Sequence, residues 1–264
     1  MGRRDDVVSD YSCSLAPTDD FFRQFLSVAG ADSVSNGMDW WTLAMLAYPE
    51  TQARAQAELD TVVGRARLPT FADLPLLPYT HAMVKEALRW KPVTPLGVPH
   101  RTTEDDWYEG MFIPKGTICI ANVWHMNRDP EIYGENSEHF DPARHLDASG
   151  GIAPTLPDTK DEGHVSYGFG RRQCVGMHLA NNSLFINIAV MLWATKIERK
   201  KDGSGQLVPL DVDGFVDRGV VMSADSPYTF KSMLTCVLPQ KSGPLRVRDF
   251  SALPRSSRPA CAGA

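Results

Sequence analysis

A single thiol, Cys174, stands in the stretch Tyr167-Gly168-Phe169-Gly170-Arg171-Arg172-Gln173-Cys174-Val175-Gly176. Glycines bracket it, two arginines lie just upstream, and a mostly apolar run of helical length follows at once. Glycine admits sharp turns and close backbone approaches that a Cβ forbids, so this loop suits contact with a flat partner. A tight loop and a helix start also aim N–H groups at negative charge, which favours the thiolate over the thiol. The pattern therefore suits a thiolate held against a metal from one side. The competing reading is a buried structural cysteine, the common fate of a lone thiol.

Composition narrows the class. The 264 residues suffice for one large domain or two small ones, and 43 % hydrophobic residues allow a sizeable core. The formal net charge is −5 and the basic residues are dispersed, which argues against a nucleic-acid partner. Cys13, Cys119, Cys174, Cys236 and Cys261 are far apart and form no Cys-x-x-Cys pair. Neither a zinc cluster nor a disulfide framework is expected, in keeping with a reducing compartment or the cytosolic face of a membrane. Met1 to Asp20 is polar and carries no signal-peptide pattern. The apolar runs Trp41–Tyr48 and Leu184–Trp193 are far shorter than the roughly 20 residues needed to span a bilayer.

Along the chain, 1–20 reads as a polar, irregular start, 21–238 as one partial domain and 239–264 as a disordered tail. Phe21 to Tyr48 predicts a long helix stopped by Pro49, and Glu50 to Val63 an amphipathic helix capped by Gly64. Thr70 to Pro78 reads as a Pro-rich connector, and Tyr79 to Trp90 as a third helix. Short strands follow, among them Met111–Ile113 and Thr117–Ala121, with turns at Glu109-Gly110 and Lys115-Gly116. Gly134 to Gly163 is a loop of a length that is uncommon unless functional or heavily packed. A helix from Val175 to about Thr195 follows the Cys174 loop, and Tyr228–Leu238 closes a small terminal sheet. The fold class is mainly α with a minor β portion.

Three further groups of residues carry chemistry. Glu86 and Arg89 lie three apart and share a helix face; alone, such a pair is usually a solvated contact worth well under about 1 kcal/mol. Ala29-Gly30-Ala31-Asp32-Ser33 places a glycine, an acid and a hydroxyl in mid-helix, where each is locally a poor choice. A kink on a polar face would account for it. Pro99-His100-Arg101 and Phe140-Asp141-Pro142-Ala143-Arg144-His145 complete the set.

Taken in order, these segments resemble the cytochrome P-450 monooxygenases. The Cys174 loop is similar to that family's Phe-x-x-Gly-x-Arg-x-Cys-x-Gly, with Tyr167 in place of the Phe. Glu86 and Arg89 match its Glu-x-x-Arg, and Pro142-Ala143-Arg144 its Pro-x-Arg. Ala29 to Ser33 matches its distal Ala/Gly-Gly-x-Asp/Glu-Thr/Ser. The texture of Glu109–Gly116 and Ala121–His125 is most similar to the fungal microsomal branch, which includes enzymes similar to O-methylsterigmatocystin oxidoreductase. The expected architecture is the C-terminal part of that fold: distal helix, Glu-x-x-Arg helix, small sheets, Cys loop and following helix.

The resemblance implies heme b with Cys174 as axial thiolate, a ligand that pushes electron density onto the iron. It implies Tyr167, Gly170 and Gly176 around the macrocycle, and Arg172 and His100 on its propionates. Glu86, Arg89 and Arg144 would form a buried network beneath it. Gly30 would open a groove for O2, while Ser33 and Asp32 would relay protons. Ala29, Gly30, Thr94, Leu96 and Val98 would face a small apolar organic substrate. Electrons would come from NADPH through a reductase, and full-length relatives would sit on the cytosolic face of the endoplasmic reticulum membrane.

The resemblance implies family members roughly twice this long, and this sequence is expected to lack their anchor and substrate roof. Two outcomes are therefore expected to compete. One is a haem-thiolate monooxygenase, the other a truncated, non-catalytic fragment that binds haem weakly or not at all.

Overall fold

The computed structural model describes the backbone of residues 17–155, 159–217, 222–224 and 234–236, and the side chains of 30–155, 159–215 and 224. Its scaffold is four helices: α1 (Pro17–Ala47), α2 (Pro49–Val62), α3 (Pro78–Trp90) and, late in the chain, the helix Met177–Ala194. Two four-residue helices, α4 (Val123–Met126) and α5 (Pro130–Tyr133), lie between, so the late helix is α6.

Pro49 both ends α1 and opens α2, because its missing N–H costs nothing in a first helical turn. Helix α3 borrows its cap from α2: Glu58 accepts from Tyr79 N–H at 2.8 Å and Thr80 N–H at 2.9 Å. Helix α6 is apolar on nearly all sides, as suits a helix packed by α1, α2 and α3 together. Trp40, Trp41 and Met45 of α1 meet Leu59 of α2, Met83 and Trp90 of α3, and Leu184, Phe185 and Ile188 of α6. All are almost wholly buried. Each aliphatic or Phe side chain so placed contributes about 1.5–3 kcal/mol of hydrophobic stabilisation.

Among the described residues the β portion is four two-stranded antiparallel sheets. Strand β1 (His100–Arg101) pairs with β4 (Ile118–Cys119), with His100 opposite Cys119. Strands β2 (Asp106–Tyr108) and β3 (Met111–Ile113) form a hairpin around Glu109-Gly110, both at positive φ. Strand β5 (Thr195–Ile197) runs straight out of α6 and pairs with β8 (Leu234–Cys236). Strands β6 (Phe215–Asp217) and β7 (Met222–Ala224) form the last pair.

The connector at Thr70 is more ordered than its prolines suggest. It holds a 3-10 turn, Phe71–Leu76, because the Asp73 carboxylate accepts from Thr70 N–H at 2.8 Å and from Arg67 at 2.6 and 2.7 Å. The long loop after Gly134 is heavily packed. Its 3-10 turn Pro142–His145 lies against α3, and Leu146 bridges to Ile152. Residues 156–158 of that loop, 1–16 and the tail 239–264 lie outside the described residues.

Candidate functional site

Helix α3 carries Lys85, Glu86 and Arg89 into the protein, and the last two are 0 % exposed. A buried charge persists only when paired and hydrogen-bonded. Arg89 answers Glu86 with a two-pronged contact, Nε to Oε2 at 2.7 Å and a terminal nitrogen to Oε1 at 2.8 Å. The 3-10 turn supplies the rest. Arg144 Nε donates to Glu86 Oε1 at 3.0 Å, Asp141 N–H donates to the same oxygen at 2.9 Å, and His145 Nε2 meets Oε2 at 2.9 Å. Burial alone would raise the Glu86 carboxyl; the hydrogen bonds and charges of Arg89 and His145 outweigh it and lower it to about 2.

The cluster also grips the main chain. Arg89 donates to the carbonyl of Asn127 at 2.6 Å and to that of His139 at 3.1 Å, while Arg144 donates to the carbonyl of Tyr133 at 2.5 Å. The Asn127 side chain passes the connection on. Its amide oxygen accepts from Val165 N–H at 2.9 Å and its amide nitrogen donates to Ser166 Oγ at 2.8 Å. Ser166 Oγ donates in turn to Leu88 O of α3 at 2.6 Å. The chain entering the Cys174 loop is thus tied to α3 from two directions.

In that loop Cys174 N–H donates to Tyr167 O at 2.8 Å, closing the turn. Gly168 and Gly170 have φ of +75° and +54°, a region that L side chains enter only with strain. Gly176 has φ −86°, and a Cβ there would stand in ordinary contact, 3.9 Å from the Cys174 sulfur. Helix α6 starts at Met177, two residues later than expected, because Gly176 serves as its N-cap. The Tyr167 hydroxyl, which a half-buried ring must satisfy, donates to Asn181 Oδ1 of α6 at 2.6 Å.

Cys174 itself is exposed and unpaired. Beside it in the chain Val175 is 88 % exposed and Leu179, one turn into α6, is 72 % exposed. Among the described residues no group of three His, Cys, Asp or Glu side chains is placed to hold a metal ion. A metal at Cys174 would therefore have to bring its other donors with it, and uncovered apolar side chains beside a single soft sulfur donor in the chain suit one carried in a macrocycle. The residues present fit such a group.

Arg172 and His100 are exposed, His100 as a strand residue of β1. Leu96 and Val98 are exposed and Thr94 is half-buried. Helix α1 runs unbroken through Gly30, Asp32 and Ser33, so these residues make no break in it; a Cβ at Gly30 would meet open space. Asp32 is exposed and Ser33 half-buried, and the Ala29 side chain lies outside the described residues.

Asn127, His145, Ser166 and Asn181 belong to the site although none was expected there. For His145 a signal existed, since it follows Arg144 directly and a buried carboxylate has more lone pairs than two arginines fill. Asn127 offered none beyond being a polar residue between two four-residue helices.

The sequence profile of the family described as Cytochrome P450 matches residues 24–209. Two cytochrome P450 monooxygenases of Armillaria gallica are 65 % identical over 207 residues and 59 % identical over 212, alignments that cover 78 % and 80 % of this chain. Cytochrome P450 monooxygenase 58 of Postia placenta is 53 % identical over 207 residues, again 78 % of this chain. The chain spans 39 %, 40 % and 38 % of the lengths of these three fungal relatives.

Proposed function

This chain belongs to the cytochrome P450 family, a haem family, and from that premise we propose that it forms the thiolate-bearing part of a monooxygenase. The proposed reaction of the whole protein consumes an apolar C–H compound, O2, two electrons and two protons, and yields the hydroxylated product and water. The observation that carries this reading is the exposed Cys174 sulfur on a loop braced to a buried charge cluster. Bound heme b would supply the activation of O2, and Cys174 would hold it as a thiolate ligand that donates electron density.

This chain's residues would divide the remaining work. Cys174 ligates the iron, and Tyr167, Gly170 and Gly176 shape the face around it. Arg172 and His100, both exposed, would take the propionates. Glu86, Arg89 and Arg144 hold the loop beneath. On α1, Gly30 leaves room along the helix, and Ser33 and Asp32 move protons toward the reacting oxygen. Ala29, Thr94, Leu96 and Val98 line the substrate side; the exposed apolar pair Leu96 and Val98 supports an apolar substrate of secondary-metabolite or xenobiotic type. NADPH, through a reductase, supplies the electrons, and the whole protein works at the cytosolic face of the endoplasmic reticulum membrane. Among the described residues no helix is long and apolar enough to cross a membrane.

Titration of the chain with haemin tests the ligand assignment. The chain binds one equivalent, and Cys174→Ala weakens binding by more than about tenfold, as loss of a ligand does. Equal binding by both proteins would refute the assignment and favour a chain with no specific haem site.

A further inference from the structure

Tyr167 stands where the family pattern has Phe, and its hydroxyl starts a chain of polar contacts with no part in the chemistry above. It donates to Asn181 Oδ1 at 2.6 Å, and Asn181 Nδ2 donates to Glu162 Oε1 at 2.7 Å. The carbonyl of Asp161, next to Glu162, accepts from Lys85 Nζ of α3. The His164 ring packs on the Tyr167 ring, 5.4 Å between centroids, and its Nε2 lies 3.9 Å from Glu162 Oε2. Lys85, Glu162 and His164 are buried, and Tyr167 and Asn181 are half-buried. Polar groups so withdrawn from water gain little from a bond made but lose much from a bond broken, so the chain has one favoured arrangement. The residue that starts it, Tyr167, also offers its carbonyl, which accepts the Cys174 N–H at 2.8 Å.

We infer that Tyr167 is a positioning residue for Cys174: the Tyr167–Asn181–Glu162 chain fixes the Tyr167 peptide, and its carbonyl sets where the Cys174 sulfur stands. A Phe at this position fills the same space yet loses the hydroxyl's bond to Asn181 of α6. The consequence for metal binding rests on the proposed ligand role of Cys174; the bracing itself does not.

Hydrogen exchange on the chain without haem separates the two. In Tyr167→Phe and in Asn181→Ala the Cys174 amide exchanges about fivefold to tenfold faster, the factor of one net hydrogen bond. The double variant adds little further, while amides in the middle of α3 keep their wild-type rates. An unchanged rate at Cys174, or an equal rise through α3, overturns the inference. Should Tyr167→Phe fail to fold, Asn181→Ala decides alone, since it leaves the ring in place. With haem and carbon monoxide added to the reduced proteins, both variants show a smaller thiolate-ligated fraction than wild type; an identical spectrum again overturns it. A wild-type chain that takes up no haem contradicts the ligand assignment, and the exchange result still decides the bracing.

Discussion

Arg89 donates to the backbone carbonyl of Asn127 at 2.6 Å, and through that residue the buried charge cluster reaches the thiol loop. The Asn127 side chain holds Val165 and Ser166, one or two residues before Tyr167. Asn127→Ala therefore removes both side-chain bonds and leaves the Val165 N–H short of a partner. The expected cost is about 1–3 kcal/mol of stability. Urea unfolding checks it; hydrogen exchange would show the largest rise at Val165 and Ser166.

Removing Arg89 is more severe. Arg89→Ala takes from Glu86, in a site of 0 % exposure, its two-pronged partner and leaves only Arg144, His145 and the Asp141 N–H; breaking a buried pair from one side costs about 3–5 kcal/mol. Arg89→Lys recovers only part of this, because an ammonium cannot make the two-pronged contact. Thermal unfolding of the two variants checks the order, wild type above Lys above Ala.

Acid acts on the same cluster. The Glu86 carboxyl is lowered from 4.5 to about 2 in the folded protein, because the bonds and charges of Arg89 and His145 outweigh the opposing effect of burial. The folded state thus holds this proton less tightly than the unfolded chain. Its contribution to stability is complete above pH 4.5 and is lost as pH falls toward about 2. Urea midpoints fall through that window in wild type and fall less steeply in Glu86→Gln.

The sequence made the helical scaffold and the order of the motifs legible, because long apolar periodicity and Pro or Gly punctuation act locally. Helices α4 and α5 have four residues each, too few for any period to show. Pairing such as His100 with Cys119 depends on contacts between distant segments and leaves no local trace. The site divides in the same way. Glu86, Arg89 and Arg144 sit in motifs, whereas Asn127, Ser166 and Asn181 do their work through single side-chain amides and a hydroxyl that resemble any surface polar residue. The Tyr167 hydroxyl was a readable clue, since a buried phenol needs a partner, but nothing in the sequence named Asn181.

The ligand role of Cys174 is tested most directly by the spectrum of the haem-loaded chain after reduction and addition of carbon monoxide. Wild type is expected to show a strongly red-shifted Soret band that disappears in Cys174→Ser. A band at the ordinary position in wild type, or a red-shifted band that survives Cys174→Ser, would contradict that role.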